Sequence, residues 1–372
     1  MAPASSADSP ADSDNAFSGG TPPVRPDIAA LAPYIPGEQP QGGEWIKLNT
    51  NENPYPPSPA VAEAIREAAT GRRLAKYPDP LATSFRVKMA ELLGVEPDWI
   101  LCGNGSDDIL TILVRSFVGQ GESLRMPYPS YILYRTLAGI QGARCHEVSF
   151  ETDWSLSPAF AASRDGLRLA VIPNPNSPSG TVLRKEWLLE VAEQLPCPLV
   201  IDEAYADFAE TDCVDLVRAC EKVIVTRSLS KSYGLAGLRF GFAVARPEVI
   251  TQLTKVKDSY NCDTLSIAAA TAAVTDTGWL TETRDKILAT RKRLEAALTN
   301  LGFLAQPSQA NFVWCTHPQK SHKAIYEALK AEGILVRWMN FPSWGDGLRI
   351  TVGTDEEIDA FLAAVAAILK RL

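Results

Sequence analysis

The chain has 372 residues, 46% of them hydrophobic and 22% charged, a globular composition too long for one ordinary core, so two domains are expected. A net charge of −8 and an isoelectric point near 5.1 argue against nonspecific binding to nucleic acid or an anionic membrane. Seven cysteines without a CxxC pair and three scattered histidines offer no zinc or iron–sulfur spacing; reduced thiols, a cytoplasmic location and no metal are the expectation.

Residues 1–26 are rich in Ala, Ser, Asp, Pro and Gly and predict a disordered tail. Proline-rich residues 27–57 read as an extended arm that, with a first helix over 59–69, fills residues 27–72. Helical periodicity recurs over 84–93 and 107–118. Short apolar runs at 169–172, 198–201, 223–225 and 240–245 have the length of buried parallel strands. Strands alternating with helices predict an α/β layer over 73–275. A closing helix, strand and helix (281–301, 347–352 and 356–369) predict a smaller C-terminal domain over 276–372. No apolar run approaches the roughly 18–20 residues of a membrane span, and the first residues lack the basic-then-apolar pattern of a secretory leader.

Three apolar runs lead straight into polar motifs, and ligands of open α/β sheets sit beyond the carboxyl ends of strands. Val223-Ile224-Val225 leads to Ser228-Leu229-Ser230-Lys231. A lysine there, with its pKa lowered by partial burial or a nearby cation, forms an imine with a carbonyl cofactor. Ser228, Ser230 and Arg239 are donors suited to a phosphate close by. Leu199-Val200-Ile201 leads to Asp202, either a turn former or an acceptor for a protonated pyridine nitrogen. Tyr205 follows as a donor for a phenolic oxygen, or as a packed ring. Ala170-Val171-Ile172 leads to the Asn174–Gly180 stretch. Gly103-Asn104-Gly105-Ser106-Asp107-Asp108 opens the helix over 107–118; its amides at Gly105, Ser106 and Asp107 suit an anion, while its aspartates also complement the helix dipole. Tyr131, after Pro129-Ser130, either stacks on a flat cofactor or belongs to the core.

In this order and spacing, Asn51-Glu52-Asn53-Pro54, Lys76-Tyr77-Pro78, Gly103 to Asp108, Pro129-Ser130-Tyr131, Asn174 to Gly180, Asp202 to Tyr205, Ser228 to Lys231, Arg239 and Leu348-Arg349-Ile350-Thr351-Val352-Gly353 resemble fold-type I pyridoxal-phosphate (PLP) aminotransferases, most closely the histidinol-phosphate aminotransferase family. The resemblance spans roughly residues 31–360. It implies a large domain with a mostly parallel seven-stranded sheet, a smaller α+β C-terminal domain, PLP as cofactor and a homodimer with shared active sites. By resemblance, Lys231 holds PLP and shuttles the proton, Asp202 pairs with the pyridine nitrogen, Tyr205 bonds the ring oxygen and Tyr131 stacks on the ring. Gly105, Ser106, Asp107, Ser228, Ser230 and Arg239 hold the phosphate, and Tyr77 reaches the phosphate of the neighbouring subunit. Arg349 and Arg337 bind substrate anions, with Asn51 nearby and Tyr34 covering the substrate. Many relatives have Asn where this chain has Ser177; the ring contact falls to Asn176 or Ser177, with Asn176 preferred for its amide.

The activity so implied is transamination between histidinol phosphate and 2-oxoglutarate in histidine biosynthesis. Aromatic amino-acid aminotransferases and threonine-phosphate decarboxylases share the same lysine, aspartate and phosphate residues. A regulator on this fold usually adds a basic helix-turn-helix domain, unlike the short acidic N-terminus here. A nucleotide-binding oxidoreductase needs G-x-G-x-x-G, and position 108 is Asp.

Overall fold

The computed structural model describes residues 24–32, 37–40 and 42–372. A short strand, β1 (Ile46–Lys47), precedes the strands of a seven-stranded sheet: β2 (Ile100–Gly103), β3 (Ser123–Tyr128), β4 (Arg144–Ser149), β5 (Leu167–Pro173), β6 (Leu199–Asp202), β7 (Val223–Ser228) and β8 (Gly241–Val244). Their spatial order is β2-β8-β7-β6-β5-β3-β4. The runs at 169–172, 198–201 and 223–225 are parallel strands, as expected. The run at 240–245 is not: β8 is antiparallel to both β2 and β7. Apolar runs buried on both faces look alike in either direction, and only the connections distinguish them.

Alternation along these strands feeds two cores. Ala170, Ile172, Leu199, Ile201, Val223 and Val225 pack on one face, against Leu188 and Val191 of the helix Lys185–Gln194. Leu169, Val171, Val200 and Ile224 pack on the other, against Ile109 and Leu113 of the helix Ser106–Phe117. Each fully buried aliphatic side chain contributes about 1.5–3 kcal/mol. An Ile201→Ala change would cost about 2–5 kcal/mol, because the filled layers leave a cavity that cannot collapse.

The C-terminal part carries β9 (Leu304–Ala305), β10 (Phe312–Thr316), β11 (Ile334–Leu335), β12 (Arg337–Phe341) and β13 (Gly345–Thr351). β12-β13-β10-β9 is an antiparallel sheet with its own core, roofed by the helices Thr277–Asn300, His322–Ala331 and Asp355–Arg371. The last helix starts with a capping box, Thr354 and Glu357 exchanging bonds with each other's backbone, and ends on Lys370 and Arg371, in accord with its dipole. A mostly parallel seven-stranded sheet plus a smaller antiparallel C-terminal unit is the α/β architecture expected.

The N-terminal segment is less extended than anticipated. Pro26–Ala29 is a helical turn, and Arg25 reaches the carbonyl of Ile140. β1 then pairs in parallel with β11, so residues 46–47 join the C-terminal unit by backbone hydrogen bonds. Most of the anticipated tail, residues 1–23, and Tyr34 lie outside the described residues.

Candidate active site

A cavity of about 690 Å³ opens where β6 and β7 end, between the large sheet and β12–β13. That size suits a cofactor with a substrate beside it. Lys231, Asp202, Tyr205, Asn51, Ser106, Asp107, Tyr131, Ser228, Ser230, Arg239, Arg337 and Arg349 all line it.

One end is an anion cradle. The helix Ser106–Phe117 begins after Gly105, which has no side chain to cap the first amides. Arg239 Nη1 donates to Ser230 Oγ at 3.2 Å, and its Nη2 lies 3.3 Å from Asp107 Oδ2. Tyr131 Oη donates to the other oxygen of Asp107 at 3.2 Å. Gly105 itself is behind the wall, with φ +83°; a Cβ there would stand 2.6 Å from Arg239 Nη2. Gly241 is equally constrained, a Cβ meeting the Ser106 amide nitrogen at 2.5 Å. Three serines, a guanidinium and a helix N-terminus fit a phosphate.

The floor of the cavity is a buried carboxylate. Asp202 ends β6, and its oxygens accept from Tyr134 Oη at 2.6 Å and from Thr226 Oγ1 at 3.0 Å. Burial raises its pKa, and the two hydroxyl donors oppose that rise. A carboxylate so desolvated suits a cationic partner such as a protonated ring nitrogen. Lys231 Nζ lies 3.4 Å from the Thr50 carbonyl and 5.8 Å from the centre of the Tyr205 ring. Asn53 Nδ2 donates to the carbonyls of Lys231 and Ser232, fastening the lysine's loop. Asn51 Nδ2 donates to Tyr205 Oη at 2.9 Å and orients that hydroxyl. Asn51 adopts φ 56°, held by Thr351 Oγ1 on its amide nitrogen and Asn311 Nδ2 on its carbonyl.

The opposite wall comes from the C-terminal sheet. Arg337 and Arg349 are directly paired across β12 and β13, so both guanidinium stems leave the same face. Arg349 donates to Ser177 Oγ at 2.9 Å and to the Asn49 carbonyl at 3.0 Å. The turn between the two strands crosses to the large sheet: Tyr128 Oη donates to Pro342 O at 3.0 Å, and the Trp344 ring packs at a tilt on that of Trp154, centroids 4.3 Å apart.

One expectation shifts. Asn176 does not line the cavity. Its amide donates to Ser179 Oγ in its own loop and to Pro129 O, and accepts from Ser130 Oγ, the last two in the turn after β3. Ser177 is the residue on the wall, because Ser179 and the turn at 129–130 together hold the Asn176 amide away from it. Tyr77 is away from the cavity and 79% exposed, its ring stacked on Tyr260 at 4.4 Å. Tyr134 and Thr226 belong to none of the sequence motifs above, yet both hold Asp202. Tyr134 lies on the helix Leu133–Ile140 just after Tyr131, and Thr226 stands two before Ser228 on β7, on the same face of that strand.

The class I and II aminotransferase family model matches residues 43–365. The chain belongs to the class I and II aminotransferases. This aminotransferase is 58% identical to the histidinol-phosphate aminotransferase of Rhodopirellula baltica over 94% of its own length and 96% of that chain. It is 44% identical to that of Geotalea daltonii, covering 93% and 99% of the two chains. Among solved structures it is similar to the histidinol-phosphate aminotransferase of Sinorhizobium meliloti in complex with pyridoxal-5'-phosphate, with 28% identity, a TM-score of 0.86 and coverage of 96% and 99%. The aminotransferase thus has the fold-type I architecture, in a family whose members transfer amino groups with PLP.

Proposed function

We propose that this aminotransferase exchanges the amino group between L-histidinol phosphate and 2-oxoglutarate, aminating imidazole acetol phosphate with glutamate in the biosynthetic direction of histidine biosynthesis. The observation that carries the reading is the Arg337–Arg349 pair on one face of β12–β13, in the same cavity as Lys231. Two guanidinium groups side by side suit a phosphate dianion or the carboxylates of glutamate. The names of the relatives at 58% and 44% identity point to the same substrate.

Each residue then has a task. Bound PLP supplies a ring that accepts the electron pair freed at the substrate α-carbon. Lys231 Nζ holds the cofactor and moves the proton from that α-carbon. Asp202 keeps a proton on the ring nitrogen, steadied by Tyr134 and Thr226. Tyr205, oriented by Asn51, donates to the ring oxygen. Ser106, Asp107, Ser228, Ser230 and Arg239 hold the phosphate, with Gly105 leaving room for Arg239. Tyr131 would stack on the ring, with Ser177 on the same cavity wall. The body over 73–275 and the smaller unit over 276–372 are the two domains that enclose the substrate.

The same reading includes a homodimer in the cytoplasm. Leu74, Tyr77, Leu81 and Tyr260 expose 57%, 79%, 43% and 44% of their surface, a patch of apolar groups suited to cover by a second copy. Tyr77 would then reach the partner's phosphate cradle. Among the described residues, no helix is long and apolar enough to cross a membrane.

The test is a half-reaction. The PLP form is mixed with histidinol phosphate, threonine phosphate or phenylalanine, and its visible absorption is followed. Rapid bleaching by histidinol phosphate alone is expected. Preference for phenylalanine, or carbon dioxide release from threonine phosphate, would overturn the substrate assignment. A Lys231→Ala protein should lose the covalent PLP that borohydride fixes in the wild type.

A further inference from the structure

Directly beneath Lys231 and Asp202, on the side of the sheet away from the cavity, lies a buried ionic hub. Arg227 on β7 is flanked by Thr226 and Ser228, which face the site; strand alternation sends Arg227 the other way. Its side chain is 10% exposed and meets three carboxylates: Nε to Glu203 Oε2 at 2.7 Å, Nη1 to Asp207 Oδ1 at 3.0 Å and Nη2 to Asp212 Oδ2 at 3.3 Å. The second oxygen of Glu203 accepts from the Cys213 amide at 2.5 Å. The second oxygen of Asp207 accepts from the Ser232 hydroxyl.

The partners of this hub are chain neighbours of the reacting groups. Glu203 follows Asp202, Asp207 lies two residues after Tyr205, and Ser232 follows Lys231. We propose that Arg227 is a positioning residue for the transamination, a three-way clamp that holds the ends of β6 and β7 so that Asp202, Tyr205 and Lys231 face one cofactor. The inference rests on the reading of Lys231 and Asp202 as PLP-holding residues.

Stability alone is a poor reason for this cluster. A buried ion pair is often matched or bettered by well-packed apolar side chains of similar size, while removal of one partner strands the others. Burial pushes the Glu203 carboxyl up to about 7, opposed by Arg227, so the group is held ionised only against a desolvation cost. What a guanidinium adds over apolar packing is direction: a rigid planar fork hydrogen-bonds Glu203 and Asp207 at fixed angles and keeps its third nitrogen within ion-pair reach of Asp212. A lysine keeps the charge and loses the fork. Small misplacements of reacting groups cost rate steeply, up to about a hundredfold for 1 Å.

Two variants test this, Arg227→Lys and Ser232→Ala. The second cuts only the link from Asp207 to the lysine's loop. Neither residue touches the cavity's contents in this reading. Four readouts are measured: urea unfolding of the protein without PLP, PLP affinity, the pH midpoint of the visible absorption, and kcat against KM for glutamate. For Arg227→Lys, PLP affinity and kcat are each expected to fall by about tenfold, with a displaced pH midpoint and a KM within about threefold of wild type. Ser232→Ala should move the same three readouts in the same direction by less. A purely structural hub would lower the unfolding midpoint and leave the pH midpoint and kcat per bound PLP unchanged in both variants; that result overturns the proposal. If Arg227→Lys does not fold, Ser232→Ala decides by the same criteria. A wild type without visible absorption in PLP would instead sink the underlying cofactor reading.

Discussion

Tyr134 Oη donates a 2.6 Å hydrogen bond to Asp202 Oδ2, and both side chains are buried. Burial also raises the pKa of Tyr134 well above its usual value, so the phenol remains a donor throughout the working range. Asp202 keeps Thr226 as its other hydroxyl donor. Removing the phenol with Tyr134→Phe leaves one carboxylate oxygen without it, a loss of about 1.5–3 kcal/mol for a hydrogen bond to a charged group. PLP affinity should fall roughly tenfold or more by absorption titration, since 1.4 kcal/mol is a factor of ten. An unchanged affinity would show that Asp202 does not depend on Tyr134.

The same aspartate sets a pH dependence in the protein without PLP. Its folded pKa is raised above the unfolded value of about 3.9. Between those two values the folded state binds the proton that the unfolded state has released. Stability therefore falls as pH rises through that window and levels off above the folded pKa. The stability of wild type minus that of Asp202→Asn, from urea unfolding at pH 4 to 8, should decline with pH and then flatten. A difference that rises with pH would refute the assignment.

Gly105→Ala meets two obstacles. The backbone at φ +83° strains any side chain, and the new Cβ would lie 2.6 Å from Arg239 Nη2. The strain costs about 1–3 kcal/mol in unfolding experiments. Arg239 must also swing away from Ser230 and Asp107, so inorganic phosphate and PLP should both bind more weakly. Phosphate protection against heat, measured side by side in the two proteins, checks this.

Arg349→Met removes one of the two paired guanidinium groups together with its bonds to Ser177 and Asn49. A charge-assisted bond lost from substrate and transition state alike raises KM by about ten- to a hundredfold, at 1.5–3 kcal/mol per contact. PLP affinity should stay near wild type, because the cradle at Ser106 and Arg239 lies on other elements. Steady-state kinetics with glutamate and with histidinol phosphate would separate the two anion roles.

Trp344 fastens the β12–β13 turn to the large sheet through Trp154 and the Phe150 carbonyl. Trp344→Ala loosens that wall without touching the cradle. Unfolding free energy should fall by about 1–3 kcal/mol, as for partly buried large-to-small changes. KM for both substrates should rise while PLP affinity holds, which equilibrium dialysis and initial rates would reveal.

The amino-acid order alone carries the chemistry class. Lys231, Asp202 and Arg239 each follow or flank an apolar run short enough to be a strand, and a strand's end is where an open α/β sheet presents ligand groups. The helices near 59–68, 83–93, 106–117 and 355–371 were legible too, because local periodicity and caps govern them. Strand direction at β8 was not legible, nor were strands β3 and β4, where Arg125, Pro127, His146 and Glu147 break the apolar pattern. The amide of Asn176 suits a ring oxygen by its chemistry, yet Ser179 and the turn at 129–130 hold that amide inward and leave Ser177 on the wall. Tyr134 under Asp202, Asn51 on Tyr205, Arg227 among three acids and the pairing of Arg337 with Arg349 join residues 12 to 154 positions apart. Local propensity and pattern extend over a few turns of chain, so they determine elements and strand-end motifs. Which side chains meet depends on how the sheets pack, and burial then decides which carboxylates and guanidinium groups must find a partner.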